Sequence, residues 1–145
     1  MNQNKVDINQ FNNKRFSEAK TFHPVAPGNE SVTLDSITLS VVSSSVGEAY
    51  KISKRITGEY ANYNIAGQRT GAVDISAMDR IEKLNIDLAC AVLVDFEGLI
   101  EDGKEVEFTE KNKRRLMTEH DWLRGQIVKK ADEAAFFYES EQINS

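Results

Sequence analysis

Two histidines, one cysteine and a run of carboxylates are the residues whose types could carry out chemistry. His120 stands between Glu119 and Asp121, and an imidazole beside carboxylates can hold a metal ion or pass a proton. A metal site needs three or four converging ligands, and no spaced set of His, Cys and Asp surrounds this one. Acidic residues at that point also suit a helix N-terminus, where the macrodipole favours negative charge. His23 lies apart, beside Pro24. Asp95, Glu97, Glu101, Asp102, Glu105 and Glu107 crowd one stretch. Two carboxylates are what a glycoside hydrolase uses, but alternation along a strand turns such groups to water, so a solvated hairpin face is the simpler reading. Cys90 sits in an apolar run with no cation beside it in sequence, so nothing local favours its thiolate and it reads as a small core hydrophobe. Gly67-Gln68-Arg69-Thr70-Gly71 lacks the preceding strand and the lysine of a phosphate-binding loop. Together these residues point to no enzyme, no cofactor and no metal.

What remains is association. Lys111, Lys113, Arg114 and Arg115 form a basic cluster. Their spacing spreads them around a helix, which suits a solvated surface or the docking of an acidic partner. Near the C-terminus, Trp122, Phe136, Phe137 and Tyr138 are more aromatics than one helical stripe can bury. Neighbouring helices cover the surplus, or another protein does, since aromatics dominate interface energetics. Trp122, Leu123, Ile127, Phe136, Phe137 and Tyr138 are therefore the candidates for core or partner contact.

The elements that must position these residues are read from periodicity. Residues 1–30 form a polar arm, rich in Asn and Gln, with isolated Phe11, Phe16 and Phe22 and with Pro24, Pro27 and Gly28 near its end. Residues 31–42 alternate in two phases, Val32 and Leu34 against Ile37, Leu39 and Val41. This predicts one bent strand or a small hairpin, with the break at Asp35-Ser36. Ser45-x-x-Glu48 is a capping pattern, and Ala49, Ile52, Ile56 and Tyr60 follow at helical spacing. Gly58 weakens the end of that helix, and residues 61–75 read as a connection because Gly67 and Gly71 favour turns. Ser76-x-x-Asp79 opens a second helix with Ala77, Ile81, Leu84, Leu88, Ala91 and Val92 on its buried stripe. Asp102-Gly103 is a hairpin signal, with Ile100 expected to pack across from Val106 and Phe108. Thr109 caps a helix to about Met117, and a last helix runs from Asp121 to about Glu139 before residues 140–145 fray. The resulting expectation is a mainly α fold, one compact helical domain over 31–139, with a short N-terminal strand or hairpin and a small β-hairpin near 98–108.

Composition narrows the classes further. The chain has 145 residues, 28% of them charged and 40% hydrophobic, which fits one core. A net charge of -5 argues against a dedicated nucleic-acid binder. One cysteine excludes an internal disulfide and suits a reducing compartment. The longest apolar run, Leu88 to Val94, is far short of a membrane span, and the N-terminus lacks the apolar stretch of a signal peptide.

Residues 92–138 resemble the tail assembly chaperones of long-tailed bacteriophages. The matching positions are Phe96, Gly98, Asp102-Gly103, Phe108-Thr109, Leu116, Trp122-Leu123, Ile127 and Phe136-Phe137. Members of that family often carry Trp where Phe96 stands and Pro near Asp121; both departures keep the local physics. The resemblance implies a non-enzymatic chaperone that binds the aggregation-prone tape measure protein, assists tail tube polymerisation and is absent from the finished virion. It implies the host cytoplasm as location, the tape measure protein and then the tail tube protein as partners, and leaves room for a homo-oligomer. A small tail-completion or connector protein retained in the virion is the alternative. A hydrolase built on Glu97, Asp102 and Glu105 is a distant third.

Overall fold

The computed structural model describes residues 5–8, 14–71 and 75–138. The chain runs through α1 (Lys14–Ser17), β1 (Lys20–Phe22), β2 (Val25–Ala26), β3 (Asn29–Thr33) and β4 (Thr38–Val41) before its first long helix. That helix, α2 (Gly47–Thr70), is followed by α3 (Ile75–Val92), β5 (Leu93–Glu97), β6 (Ile100–Glu101) and β7 (Lys104–Glu105). Helices α4 (Glu110–Glu119), α5 (Asp121–Asp132) and α6 (Ala134–Tyr138) complete it. Three small antiparallel sheets stand among the helices, in the orders β1-β4-β5, β2-β3 and β6-β7. The fold is therefore mixed, and the expectation of a mainly α, compact helical domain is corrected. The miss has a physical source. Strands of two to five residues leave little alternation to read, and two of them, β1 and β2, lie in the stretch read as an arm.

The central sheet is organised by β4, which pairs with β1 on one side and β5 on the other. Its Leu39 and Val41 point into the core and are fully buried. Opposite them the register shifts between Ser40 and Val41, since Ser40 faces Asp95 while Val41 faces Leu93. Val94 is the extra residue. Leu93 and Phe96, three apart, would otherwise lie on opposite faces; the bulge brings both inward. The two phases of residues 31–42 belong to different sheets, β3 pairing with β2 and β4 with β1 and β5, so they do not form a hairpin with each other.

The N-terminal stretch is tied to the C-terminal helices. The Phe16 ring meets Phe137 and Tyr138 edge-on at 6.0 and 5.5 Å, and Phe22 meets Phe136 at 6.0 Å. Gln126 on α5 binds the Val25 backbone twice, accepting its N–H at 2.8 Å and donating to its carbonyl at 2.9 Å. After β4, the Ser44 N–H donates to Ala131 O at 2.9 Å, and its hydroxyl donates to Asp132.

Two helices differ from expectation. Helix α2 continues through Gly58 and Gly67 to Thr70, where a connection was expected. Its Ala49, Ile52, Ile56, Glu59, Tyr63 and Ala66 form a stripe at three- and four-residue spacing, buried or half-buried along its length. A mid-helix glycine costs only about 1 kcal/mol, which packing on α3 offsets. Gly71, at φ 68°, ends the helix, its N–H donating to Gly67 O at 2.8 Å. The residue before α2 is Val46, whose aliphatic side chain cannot cap, so the helix does not start from Ser45 as the capping pattern predicts; the Ser45 N–H donates to the Ser43 hydroxyl at 3.0 Å. The terminal helix is broken at Glu133 into α5 and α6. The expected fraying of 140–145 and most of the Asn-rich start lie outside the described residues.

The hairpin was legible. Asp102 and Gly103 carry φ of 51° and 80°, the paired positive values of a type I′ turn. Leu99 rather than Ile100 turns inward; Ile100 is exposed, and the Val106 N–H donates to Leu99 O at 2.8 Å. Thr109 caps α4 by accepting the Asn112 N–H at 3.0 Å. Gly98 has φ 82°, and a Cβ there would stand 1.9 Å from Ser36 O. Only glycine lets the chain leave β5 against that carbonyl.

Candidate partner-binding groove

Helix α3 is the shared neighbour of α2, α4 and α5, while α2 and α5 make no comparably extensive contact with each other. The result is a groove with α3 as its floor and α2 and α5 as its walls. Tyr60 and Tyr63 come from α2; Ile75, Met78 and Ile81 from α3; Gly125 and Val128 from α5. Its volume is about 1050 Å3, at the upper end of small-molecule sites, roughly 300–1,000 Å3. Ile75 is 69% exposed, Met78 51% and Tyr60 48%. These are large apolar side chains left in water on one continuous face, which marks an interaction site more often than scattered exposure does. The rim is acidic: Asp79, Glu82, Asp121, Asp132 and Glu133 face only Arg124 and Lys129. Arg124 also donates to Met117 O at 2.7 Å. Glu59 and Arg80, paired at 3.2 Å, hold α2 to α3 beside the groove.

The six residues named from sequence lie elsewhere or beneath. Leu123, Ile127, Phe136 and Phe137 are core, none more than 5% exposed. Trp122 and Tyr138 are half-buried, with Trp122 packed against the core and Tyr138 against Phe16. Neighbouring elements cover the surplus aromatics, including strand β1 and the Phe16 segment, which the sequence did not connect to α6. Among the described residues, large apolar side chains are left exposed singly at sites such as Val32, Val94 and Ile100, and together on α2 and the start of α3. Helical spacing could have marked the latter group. Tyr60 ends the stripe read for α2, but Tyr63 falls inside the stretch read as a connection, so the face is not followed to it.

The other candidates resolve into structure. Glu101, Glu119 and His120 are a group of potential metal ligands among the described residues, their ligand atoms within 4.8 Å of one another. Arg115 already occupies that cluster. Its guanidinium donates twice to Glu101, at 2.5 and 2.9 Å, and to Glu119 at 3.2 Å. His120 Nε2 lies 3.6 Å from Glu101. The Arg115 hydrogen bonds hold the Glu101 carboxyl below its ordinary range and push the guanidinium pKa up. A cation is thus built into the cluster, and it clamps β6 to α4. Sequence placed Asp121 beside His120; space places Glu101 there, and Asp121 lines the groove.

The basic cluster is largely spent internally. Lys113 is buried, donates to Leu93 O at 3.1 Å and pairs with Glu110 at 3.1 Å. Arg114 pairs with Asp87 at 2.8 Å. Cys90, half-buried, has its thiol pKa pushed up by burial, which outweighs the nearby Arg114 and Lys113. It is poorly suited to nucleophilic work. Among the described residues, no helix is long and apolar enough to cross a membrane.

Comparison with known proteins adds one finding. No curated protein and no solved structure matches the chain. A family model described as YdaY prophage protein matches residues 47–144, from the start of α2 onward. That span holds the groove, the hairpin and every residue of the clamp, but not β4, the strand that pairs with β5. The match covers most of the sequence, and the chain belongs to the YdaY prophage protein family, a phage-derived group.

Proposed function

We propose that this protein is a non-enzymatic assembly chaperone for a phage tail. It binds apolar helical segments of the tape measure protein, keeps that protein soluble and assists polymerisation of the tail tube around it. The observation that carries the reading is the groove: exposed Tyr60, Ile75 and Met78 over a floor of α3, between two helices that leave room for a third. An amphipathic helix laid into such a groove is a common mode of recognition. Membership of a prophage family and the resemblance of residues 92–138 to tail assembly chaperones support the same reading. A chaperone must also release its client. Weak individual contacts, multiplied by several copies along one long client, provide both retention and release.

The reading places the protein in the cytoplasm of the bacterial host and outside the mature virion. Co-expression with the tape measure protein of the same phage tests it. Co-purification, with the tape measure protein recovered from the insoluble fraction, is the expected result. No association and no recovery, with this chain found in purified virions, would replace the chaperone by a structural tail-completion or connector protein.

A further inference from the structure

The groove carries a charge pattern as well as an apolar floor. Asp79 and Glu82 are exposed, three residues apart on α3, and Asp121 starts α5 across from them. Among the described residues none of the three has an ion-pair partner, whereas nearby Glu59, Asp87 and Glu133 each have one. These three carboxylates of the rim are therefore unspent, while Asp132 and Glu133 are already engaged, and they flank an apolar strip that is itself exposed. We infer that the groove seats an amphipathic helix whose apolar stripe is flanked by lysine or arginine. This deepens the chaperone reading and rests on it for the source of the helix.

Charge argues for this occupant over others. A second copy of the chain brings a net charge of -5 to an acidic rim, and like charges across an interface oppose docking. Nucleic acid is repelled by the same field. A basic-flanked helix gains from both features: its stripe covers Met78 and Ile75, and its cations meet the three carboxylates at the partly solvated edge. Rim pairs of this kind set specificity and association rate more than total affinity, and they weaken with salt.

The test uses the full chain and two synthetic amphipathic helices with the same Leu stripe, one flanked by Lys and one by Glu. Titration at low salt should show the Lys-flanked peptide binding at least about tenfold more tightly, with the gap closing as salt rises. Asp79→Lys with Glu82→Lys should reverse the preference, and Met78→Asp should weaken both peptides. All three positions are exposed, so an unchanged thermal melt confirms that the fold is intact. Equal binding of both peptides, binding indifferent to Met78→Asp, or no binding overturns the inference. So does a dimer that Met78→Asp converts to monomer. The two claims separate cleanly. Capture of the tape measure protein by the Met78→Asp variant sinks the groove and leaves the chaperone. Selective peptide binding without capture of the tape measure protein sinks the chaperone and leaves the groove.

Discussion

The body of the molecule and the outer part of the α2–α3 pair treat apolar residues in opposite ways. Around the β1-β4-β5 sheet, α4, α5 and α6, side chains are committed. Phe96 packs edge-on to Phe108 at 5.0 Å, Phe136 to Phe137 at 5.1 Å, and the stem of Lys113 is buried so that its ammonium can reach Leu93 O. Along the outer α2–α3 pair, Tyr60, Ile65, Ile75 and Met78 are each about half exposed or more. The outer pair keeps large apolar side chains in water, and that asymmetry is what makes the groove a binding candidate.

The largest effect that would sharpen this contrast is at Gly98. Gly98→Ala forces a Cβ into a backbone carbonyl at a left-handed φ, and a loss of about 3 kcal/mol or more is expected in denaturant unfolding. A loss under about 1 kcal/mol would mean that the β5 exit relaxes freely. Next comes a matched pair. Ile127, fully buried on α5, should cost about 2–5 kcal/mol when changed to Ala. Ile65 on the outer part of α2, half exposed, should change stability by no more than about 0.5 kcal/mol. Equal losses would erase the distinction between the regions. Thr109→Ala removes the α4 cap and should cost about 1 kcal/mol. The smallest effect concerns Glu101. Its folded pKa is depressed by Arg115, so its contribution is present above the unfolded carboxyl pKa, about 4.3. It is lost as pH falls through the lower folded value. The stability gap between wild type and Glu101→Gln should therefore shrink on acidification; a gap that widened would contradict the clamp.

Much of the local structure was legible because single residues dictate it. Asp102-Gly103 supplies the two positive φ values of the turn, Thr109 the cap, and Ala77, Ile81, Leu88 and Val92 the buried stripe of α3. The positions that carry the chaperone resemblance now have physical roles: Phe96 and Phe108 face each other, Gly98 clears Ser36, and Leu116, Leu123 and Ile127 fill the core. What was not legible depends on distant partners. Nothing near Lys20 or Phe22 announces pairing with Val41 and Leu39 or packing on Phe136. The glycines of α2 read as breaks because the stabilising neighbour, α3, is supplied by tertiary structure. The groove is illegible for the same reason, since its walls are two helices far apart in sequence; of the aromatics singled out, Phe136 and Phe137 are interior while Trp122 and Tyr138 are half-buried.

The rings that join Phe16 and Phe22 to α6 have a consequence for synthesis. Residue 138 must clear the ribosome before Phe16 can meet Tyr138, and residue 136 before Phe22 can meet its partner. Until then β1 is held by its pairing with β4 and the Lys130 contact on Phe22, without the α6 rings. Contacts of such long sequence separation form slowly. A nascent chain halted before α6 would therefore leave the Phe16 and Phe22 rings without those partners, open to chaperones and proteases. Completion of α6 is what gives these rings their partners.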